Sequence, residues 1–182
     1  MTQGAYIFEG TSDAAELERL RMLEVVFDDK SQQWLRSVGP LLGRRCLEVG
    51  AGAGSIAAWL ASEVGTDGEV VAVDANTRFL RTLPREVEVI EGALGIVVLP
   101  AESFDVIHAR YVLIHNANAG AILDAMLKAL KPGGALVLEE PDFSAAMVFT
   151  GPSNLRQAFD NVKRAIRETF SARGMDYAFG SA

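Results

Sequence analysis

Three glycines spaced by single residues, Gly50, Gly52 and Gly54, lie between an apolar run and a helix-patterned segment in RCLEVGAGAGSIAAWL. Glycine tolerates positive φ and lets the backbone approach a ligand closely, and the helix start just beyond offers unpaired N–H groups to a polar or anionic group. The chemistry implied is nucleotide binding at a strand-to-helix turn. Asp74 ends the next apolar run, 24 positions after Gly50, where one carboxylate accepts hydrogen bonds from both hydroxyls of a ribose. The dinucleotide fingerprint would put a glycine at the sixth position of the turn, yet Ser55 stands there and Gly54 comes one residue early. The residues by themselves leave three readings open: an adenosine-containing cofactor, a nicotinamide dinucleotide, or a tight turn that holds no ligand.

Groups for acid–base work are few, since the chain has two histidines and one cysteine. His115, in YVLIHN, is the single candidate for a general base on the acceptor side, against the plainer reading of a histidine that caps the following loop. His108 falls inside a strand and reads as packed. Glu139, Glu140 and Asp142 gather at the end of a later apolar run, where they bind a proton or an acceptor, or remain solvated loop carboxylates. No metal site is expected, because the histidines and the cysteine have no ligand-like spacing. A nucleophile turn of the G-x-S-x-G type is missing, and Cys46, inside the first strand, reads as a small buried hydrophobe.

The elements that must position these residues are written as alternation. Short apolar runs, Cys46 to Val49, Val70 to Val73, Val87 to Ile90, Phe104 to His108 and Ala135 to Glu139, predict strands. Helical segments are expected from near Ser55, Asn76 and Ala119, with Leu130-Lys131 ending the last of these, Pro132 stopping it and Gly133-Gly134 turning the chain into the fifth strand. Such a pattern means an α/β fold, a doubly wound and mostly parallel sheet of about five strands with helices on both faces and the ligand at the carboxyl ends of the strands. Before the glycine turn, Asp13 with Glu16 resembles a capping box, and Leu17, Leu20, Leu23, Phe27, Trp34 and Val38 trace an apolar face on one helix or two. After the fifth strand, Pro152-Ser153 open a final amphipathic helix with the stripe Leu155, Phe159, Val162, Ile166 and Phe170, and Gly174 follows its end. The expected organisation is one domain: an N-terminal helical segment (1–40), a Rossmann-like core (41–150), and a C-terminal helix and tail (151–182).

LEVGAGAGS, then VVAVD, then SFDVIHAR and LKALKPGGALVLEE, in that order, resemble the class I S-adenosylmethionine-dependent methyltransferases over about Leu41 to Pro141, and within them the small-molecule enzymes of the ubiquinone and menaquinone biosynthesis type. The LKPGG element discriminates, since dehydrogenases have no reason to carry it. The resemblance implies S-adenosylmethionine as cofactor. It places Glu48, Gly50, Ala51, Gly52 and Gly54 along the methionine and ribose portion, Asp74 on the ribose, and Ala75 beside the adenine. Gly92, Ala93 and Leu94 follow the third strand, Arg110 passes the methionine moiety, and Tyr6 folds over it. One position departs from the family pattern: where an Asp commonly bonds the adenine amino group, this chain has Ala93, with Glu91 as a possible substitute. The activity implied is in-line methyl transfer to a small molecule, which needs alignment and no catalytic triad.

The formal net charge of −7 argues against nucleic acid or an anionic membrane as partner, because both require a basic surface. MTQGAYIFEG lacks the regions of a signal peptide and no apolar stretch reaches the length of a membrane span, so a cytoplasmic protein is expected. A fifth strand followed by one helix and a short glycine-containing tail is expected to leave an open sheet edge. That predicts a homodimer using this region or the last helix, or a chain shortened from a longer parent. Two further readings remain: a catalytically silent binding or dimerisation module that keeps the fold, and, less favoured, a NAD-dependent oxidoreductase.

Overall fold

The structure is a computed structural model and describes residues 12–93, 95–146 and 150–181. Five strands, β1 (Arg45–Val49), β2 (Glu69–Asp74), β3 (Val87–Glu91), β4 (Phe104–Arg110) and β5 (Leu130–Glu139), form one sheet in the order β3-β2-β1-β4-β5. Every pairing is parallel. The chain therefore winds outward from β1 to β3 and returns to β4 beside β1, which puts the switch point between those two strands.

Because side chains alternate across a strand, each strand feeds two cores. Cys46, Val70, Ala72 and Val106 face α2 (Ser55–Val64) through Ile56, Ala57, Leu60 and Val64, with Leu35 from the N-terminal helix α1 (Asp13–Ser37). Leu47, Val49, Val71, Val73, Ile107 and Ala109 face α3 (Ala119–Ala129) through Ile122, Met126 and Ala129. Helices thus cover both faces, as the alternation predicts.

Four local readings are corrected. The N-cap of α1 is Ser12, whose hydroxyl accepts from Ala15 N at 3.4 Å, rather than Asp13, and Glu16 instead pairs with Arg19 at 2.7 Å. The inward side of α1 carries Leu35, four residues on from Ser31, while Trp34 is 48% exposed beneath the Lys30 ammonium; at 100° per residue a side chain one position off the stripe leaves the core. The segment after Asn76 is a six-residue 3-10 turn, Thr77–Thr82, because Leu83 is forced to extended ψ 151° ahead of Pro84. Finally, α3 ends at Ala129, and Leu130 already pairs with Phe104 in β5. Between that pair and Val106 with Ala135, four residues of β5 face one of β4, Asp105. This bulge, Lys131 to Gly134, is pinned by Asp105, which accepts from Lys131 Nζ at 2.7 Å and Arg45 N at 2.9 Å.

The last helix, α4 (Ser153–Ala172), packs by its C-terminal end. Phe170 and Met175 are buried with Ile114, and Ile166 lies against them, whereas Leu155 and Val162 are 58% and 56% exposed. β5 is the last strand of the sheet, and among the described residues no strand pairs with its outer edge.

Candidate active site

The carboxyl ends of β1, β2 and β4 converge on the glycine turn. Gly50, Gly52 and Gly54 have φ of +70°, +59° and +94°, the left-handed region in which a Cβ is costly. Gly50 and Ala51 both donate to Val73 O, at 2.8 and 3.2 Å, which ties the turn to β2. A Cβ on Gly50 would overlap Val112, so this glycine is demanded by packing as well as by backbone shape. At Gly52 the nearest side chain is Leu20 of α1, 3.3 Å from an added Cβ, so this part of the turn faces α1 across the strand ends.

Asp74 lies at the tip of β2 with its carboxylate latched to the turn: Oδ2 accepts from Gly52 N at 2.8 Å and Oδ1 from Asn76 N at 2.9 Å. Burial pushes its carboxyl upward, and the two N–H donors only partly offset that. Ala75 is exposed beside it. Gly92 donates to Asp74 O at 2.9 Å, and Ala93 O accepts from Ile96 and Val97 N at 2.9 and 3.2 Å, so the segment after β3 folds back toward the end of β2. Glu91 accepts from Thr77 Oγ1, which engages the carboxylate that stands closest to the absent Asp. Leu94 and Tyr6 lie outside the described residues.

Glu48 is buried below the turn, 2.7 Å from His108 Nδ1, and His108 Nε2 lies 2.8 Å from Glu139 Oε1. Arg110 is spent on α1, with Nη1 on Ser31 Oγ at 2.7 Å and Nη2 on Asp28 Oδ1 at 2.9 Å. Both residues are therefore held by the protein itself. The α1 helix makes a further contact through Glu24, which accepts from Ser55 N at 3.3 Å and so supplies the cap that Gly54 lacks at the start of α2.

Around the end of β4, Glu140 accepts from three successive backbone donors, Val112, Leu113 and Ile114 N, at 2.9, 2.7 and 3.1 Å. The carboxylate thus caps the 3-10 turn Leu113–His115, and its role is to hold this loop. Tyr111, just before, has φ +56° and puts its ring edge-on to Phe27 of α1 with centroids 5.4 Å apart. His115 lies against Phe170, centroids 5.8 Å apart, and burial, reinforced by the Arg19 charge, drives its pKa down to about 4. An imidazole that weakly basic gains little as a general base near neutrality, where the best catalytic pKa lies close to the working pH. Asp142 accepts from Ser144 N at 2.8 Å within its own turn.

The sequence missed the line Glu48–His108–Glu139 and the α1 anchors Asp28, Ser31 and Glu24. One signal was present: Glu48 and His108 are polar residues set among apolar ones inside two strands that end side by side, and in the sheet they stand in register. No helix among the described residues is long and apolar enough to cross a membrane.

Residues 17–175 match the family model described as "Methyltransferase domain". The chain is 34% identical over 101 residues to methyltransferase str3 of Strobilurus tenacellus, covering 55% of this chain and 36% of that protein. It is 30% identical over 129 residues to the ubiquinone/menaquinone biosynthesis C-methyltransferase of Pseudomonas putida, covering 65% of this chain and 47% of that protein. The chain thus spans less than half the length of these two curated relatives. Among solved structures, a SAM-dependent methyltransferase from Aquifex aeolicus superposes with TM-score 0.62 at 20% identity over 86% of this chain and 88% of that one, a likeness of fold. With the glycine turn, the latched aspartate and the sheet order in place, and a family match that runs nearly end to end, this chain belongs to the methyltransferase-domain family.

Proposed function

We propose that the protein is an S-adenosylmethionine-dependent methyltransferase acting on a small molecule. The observation that carries this reading is the glycine turn with Asp74 fastened to it by Gly52 N at 2.8 Å, at the carboxyl edge of a parallel sheet. Those residues fit the cofactor: three glycines at positive φ leave the turn with no side chain larger than a methyl, and a partly buried carboxylate stands beside it where a ribose is read. Gly50, Ala51, Gly52 and Gly54 would line the methionine and ribose portion and Asp74 the ribose hydroxyls, with Ala75, Gly92, Ala93 and Leu94 around the adenine. Tyr6 and Arg110 belong to the methionine side in this reading, Arg110 through its hold on α1. When bound, S-adenosylmethionine supplies a methyl group on a sulfonium centre, so attack by the acceptor requires alignment above all.

The chain's own part is to align and to exclude water. Leu20 and Glu24 bring α1 over the turn, and Phe27 with Tyr111 forms an aromatic wall at the end of β4, on the side where an acceptor would approach. A small, partly apolar acceptor suits that wall, and the relatives named for ubiquinone and menaquinone biosynthesis support the same class. A cytoplasmic location and a homodimer through the exposed stripe of α4 complete the proposal; Leu155 and Val162 are the apolar residues it would bury. Light scattering that finds a monomer at micromolar concentration removes the dimer.

Isothermal titration with S-adenosylhomocysteine decides the main reading. A ligand at 100 times its dissociation constant stabilises by about 2.7 kcal/mol, so binding heat and a raised melting temperature are both expected. No heat and no thermal shift at millimolar ligand would sink it.

A further inference from the structure

One buried charged line plays no part in the alignment just described. Glu48 at the end of β1, His108 in β4 and Glu139 at the end of β5 run across three adjacent strands, linked at 2.7 and 2.8 Å, with His108 wholly buried. Apolar side chains of similar size would commonly be as stable or more so. Burial pushes the Glu48 carboxyl up and the His108 charge and hydrogen bond oppose that; with both carboxylates ionised their oxygens only accept, so the imidazole between them donates from both nitrogens and carries a positive charge. Its charged neighbours are Glu48 (β1) and Glu139 (β5); both carboxylates feel Arg110 of β4, Glu139 also takes a hydrogen bond from Ser31 of α1, and Asp28 of α1 pairs with Arg110.

The line ends where the turn begins. Glu48 precedes Gly50 by two residues on β1, so holding its side chain holds the strand end from which the turn springs. At the far end, Glu139 O accepts Tyr111 N at 2.9 Å, the residue at φ +56° in front of the Glu140-capped loop. We infer that His108 is a positioning residue for cofactor binding: its two hydrogen bonds clamp the ends of β1 and β5 to β4 and keep the glycine turn in its binding shape. This rests on the cofactor reading above.

Loss of the His108 proton turns one donor into an acceptor facing a carboxylate, which breaks a hydrogen bond and leaves two buried anions across an uncharged ring. Burial alone would lower the His108 pKa, but the Glu48 charge and the hydrogen bonds to Glu139 and Glu48 outweigh it and raise it to about 9. The clamp is therefore complete at neutral pH and opens in alkali.

Isothermal titration with S-adenosylhomocysteine from about pH 6 to about pH 10 tests the clamp on the wild type, His108→Gln and Glu139→Gln, with the ligand's own ammonium titrating alike in all three. The wild type should lose affinity above about pH 9, where His108 deprotonates. Glu139→Gln keeps an acceptor for Nε2–H but removes its charge, so the loss should begin about one pH unit lower. His108→Gln should bind on the order of tenfold more weakly at neutral pH, the equivalent of one hydrogen bond to a charged group, and should show the ligand's own titration alone. Coincident profiles for wild type and Glu139→Gln would overturn the inference while leaving the cofactor reading intact. If His108→Gln does not fold, Glu139→Gln decides alone. A wild type that gives no heat at any pH overturns the cofactor reading, and the inference with it.

Discussion

The two histidines stand seven positions apart, and their surroundings drive them in opposite directions: His108 up to about 9, His115 down to about 4. Both lose hydration, which by itself disfavours the charged ring in each case. His108 has a carboxylate on each nitrogen and becomes the cationic centre of a buried line. His115, on the 3-10 turn after β4, is buried against the Phe170 ring and feels the Arg19 charge more than the opposing Glu16, and it stays neutral. The contrast teaches that partners decide the charge of a buried imidazole. It also separates two jobs at the strand ends, a charged clamp under the glycine turn and a neutral packed loop above it.

The comparison breaks most violently at His108. Replacing it by leucine removes the cation between Glu48 and Glu139, leaving the buried Glu48 carboxylate without that donor and the half-buried Glu139 with the Ser31 hydroxyl, a change that typically costs about 3–5 kcal/mol. Urea unfolding at neutral pH should show a loss in that range. A loss under about 1 kcal/mol would mean that Glu48 or Glu139 sheds its charge at little cost, and the line would then be ordinary packing.

Next in size is the pH dependence of stability, in which the two histidines act with opposite sign. His108, raised from 6.5 to about 9 in the fold, contributes stability that is full below pH 6.5 and is lost as the pH rises through about 9. His115, lowered from 6.5 to about 4, contributes stability present above pH 6.5 and lost as the pH falls through about 4. Each shift corresponds to the order of 3 kcal/mol at 1.36 kcal/mol per unit. Denaturant midpoints across the range should fall on both sides of a maximum near pH 6–7, superposed on the carboxylate titrations. Nitrogen NMR of a chain with two histidines reads the two titrations separately, and a shared midpoint near 6.5 would dissolve the contrast.

How much of this was legible in the sequence depends on range. The turn glycines, Asp74 and the five strands announce themselves locally, through residue type and through apolar runs that a buried parallel strand must show. The stripe of α4 was legible as a period, yet its exposure was not, because nothing local says that Ile166 and Phe170 find a core while Leu155 and Val162 do not. Trp34 was misplaced for a related reason: α1 turns Leu35 inward beside Ser31, and a one-residue phase error exchanges the two. The His108 line joins residues 60 and 31 positions apart, so it exists only once the strand order brings β1, β4 and β5 together. Read along the chain, His108 is a polar residue between Ile107 and Ala109 with no partner in its own strand segment to mark it.

A smaller effect sharpens the division between clamp and loop. Glu140 holds the loop carrying His115 by accepting three backbone N–H groups at 2.7 to 3.1 Å, and the carboxylate needs both oxygens to do so. In Glu140→Gln one oxygen becomes an N–H₂ donor facing a donor, so at least one bond is lost at a cost of about 1–3 kcal/mol. Hydrogen exchange at Val112, Leu113 and Ile114 should accelerate, while the alkaline titration of His108 stays in place. Movement of that titration would show that the two regions are one network.

His115→Phe should have the smallest effect at neutral pH and a selective one in acid. Phenylalanine keeps an aromatic ring beside Phe170, where the imidazole ring now lies tilted by 41°, and at neutral pH the wild-type ring is uncharged. What disappears is the proton that the unfolded chain takes up between pH 6.5 and about 4 and the folded chain refuses. The variant should therefore lose less stability on acidification than the wild type while keeping the same alkaline fall, since His108 is untouched. Urea midpoints measured at pH 7, 5 and 4 for both proteins check this. If the acid fall is identical in the two, His115 does not resist protonation in the fold, and the neutral member of the pair has been misread.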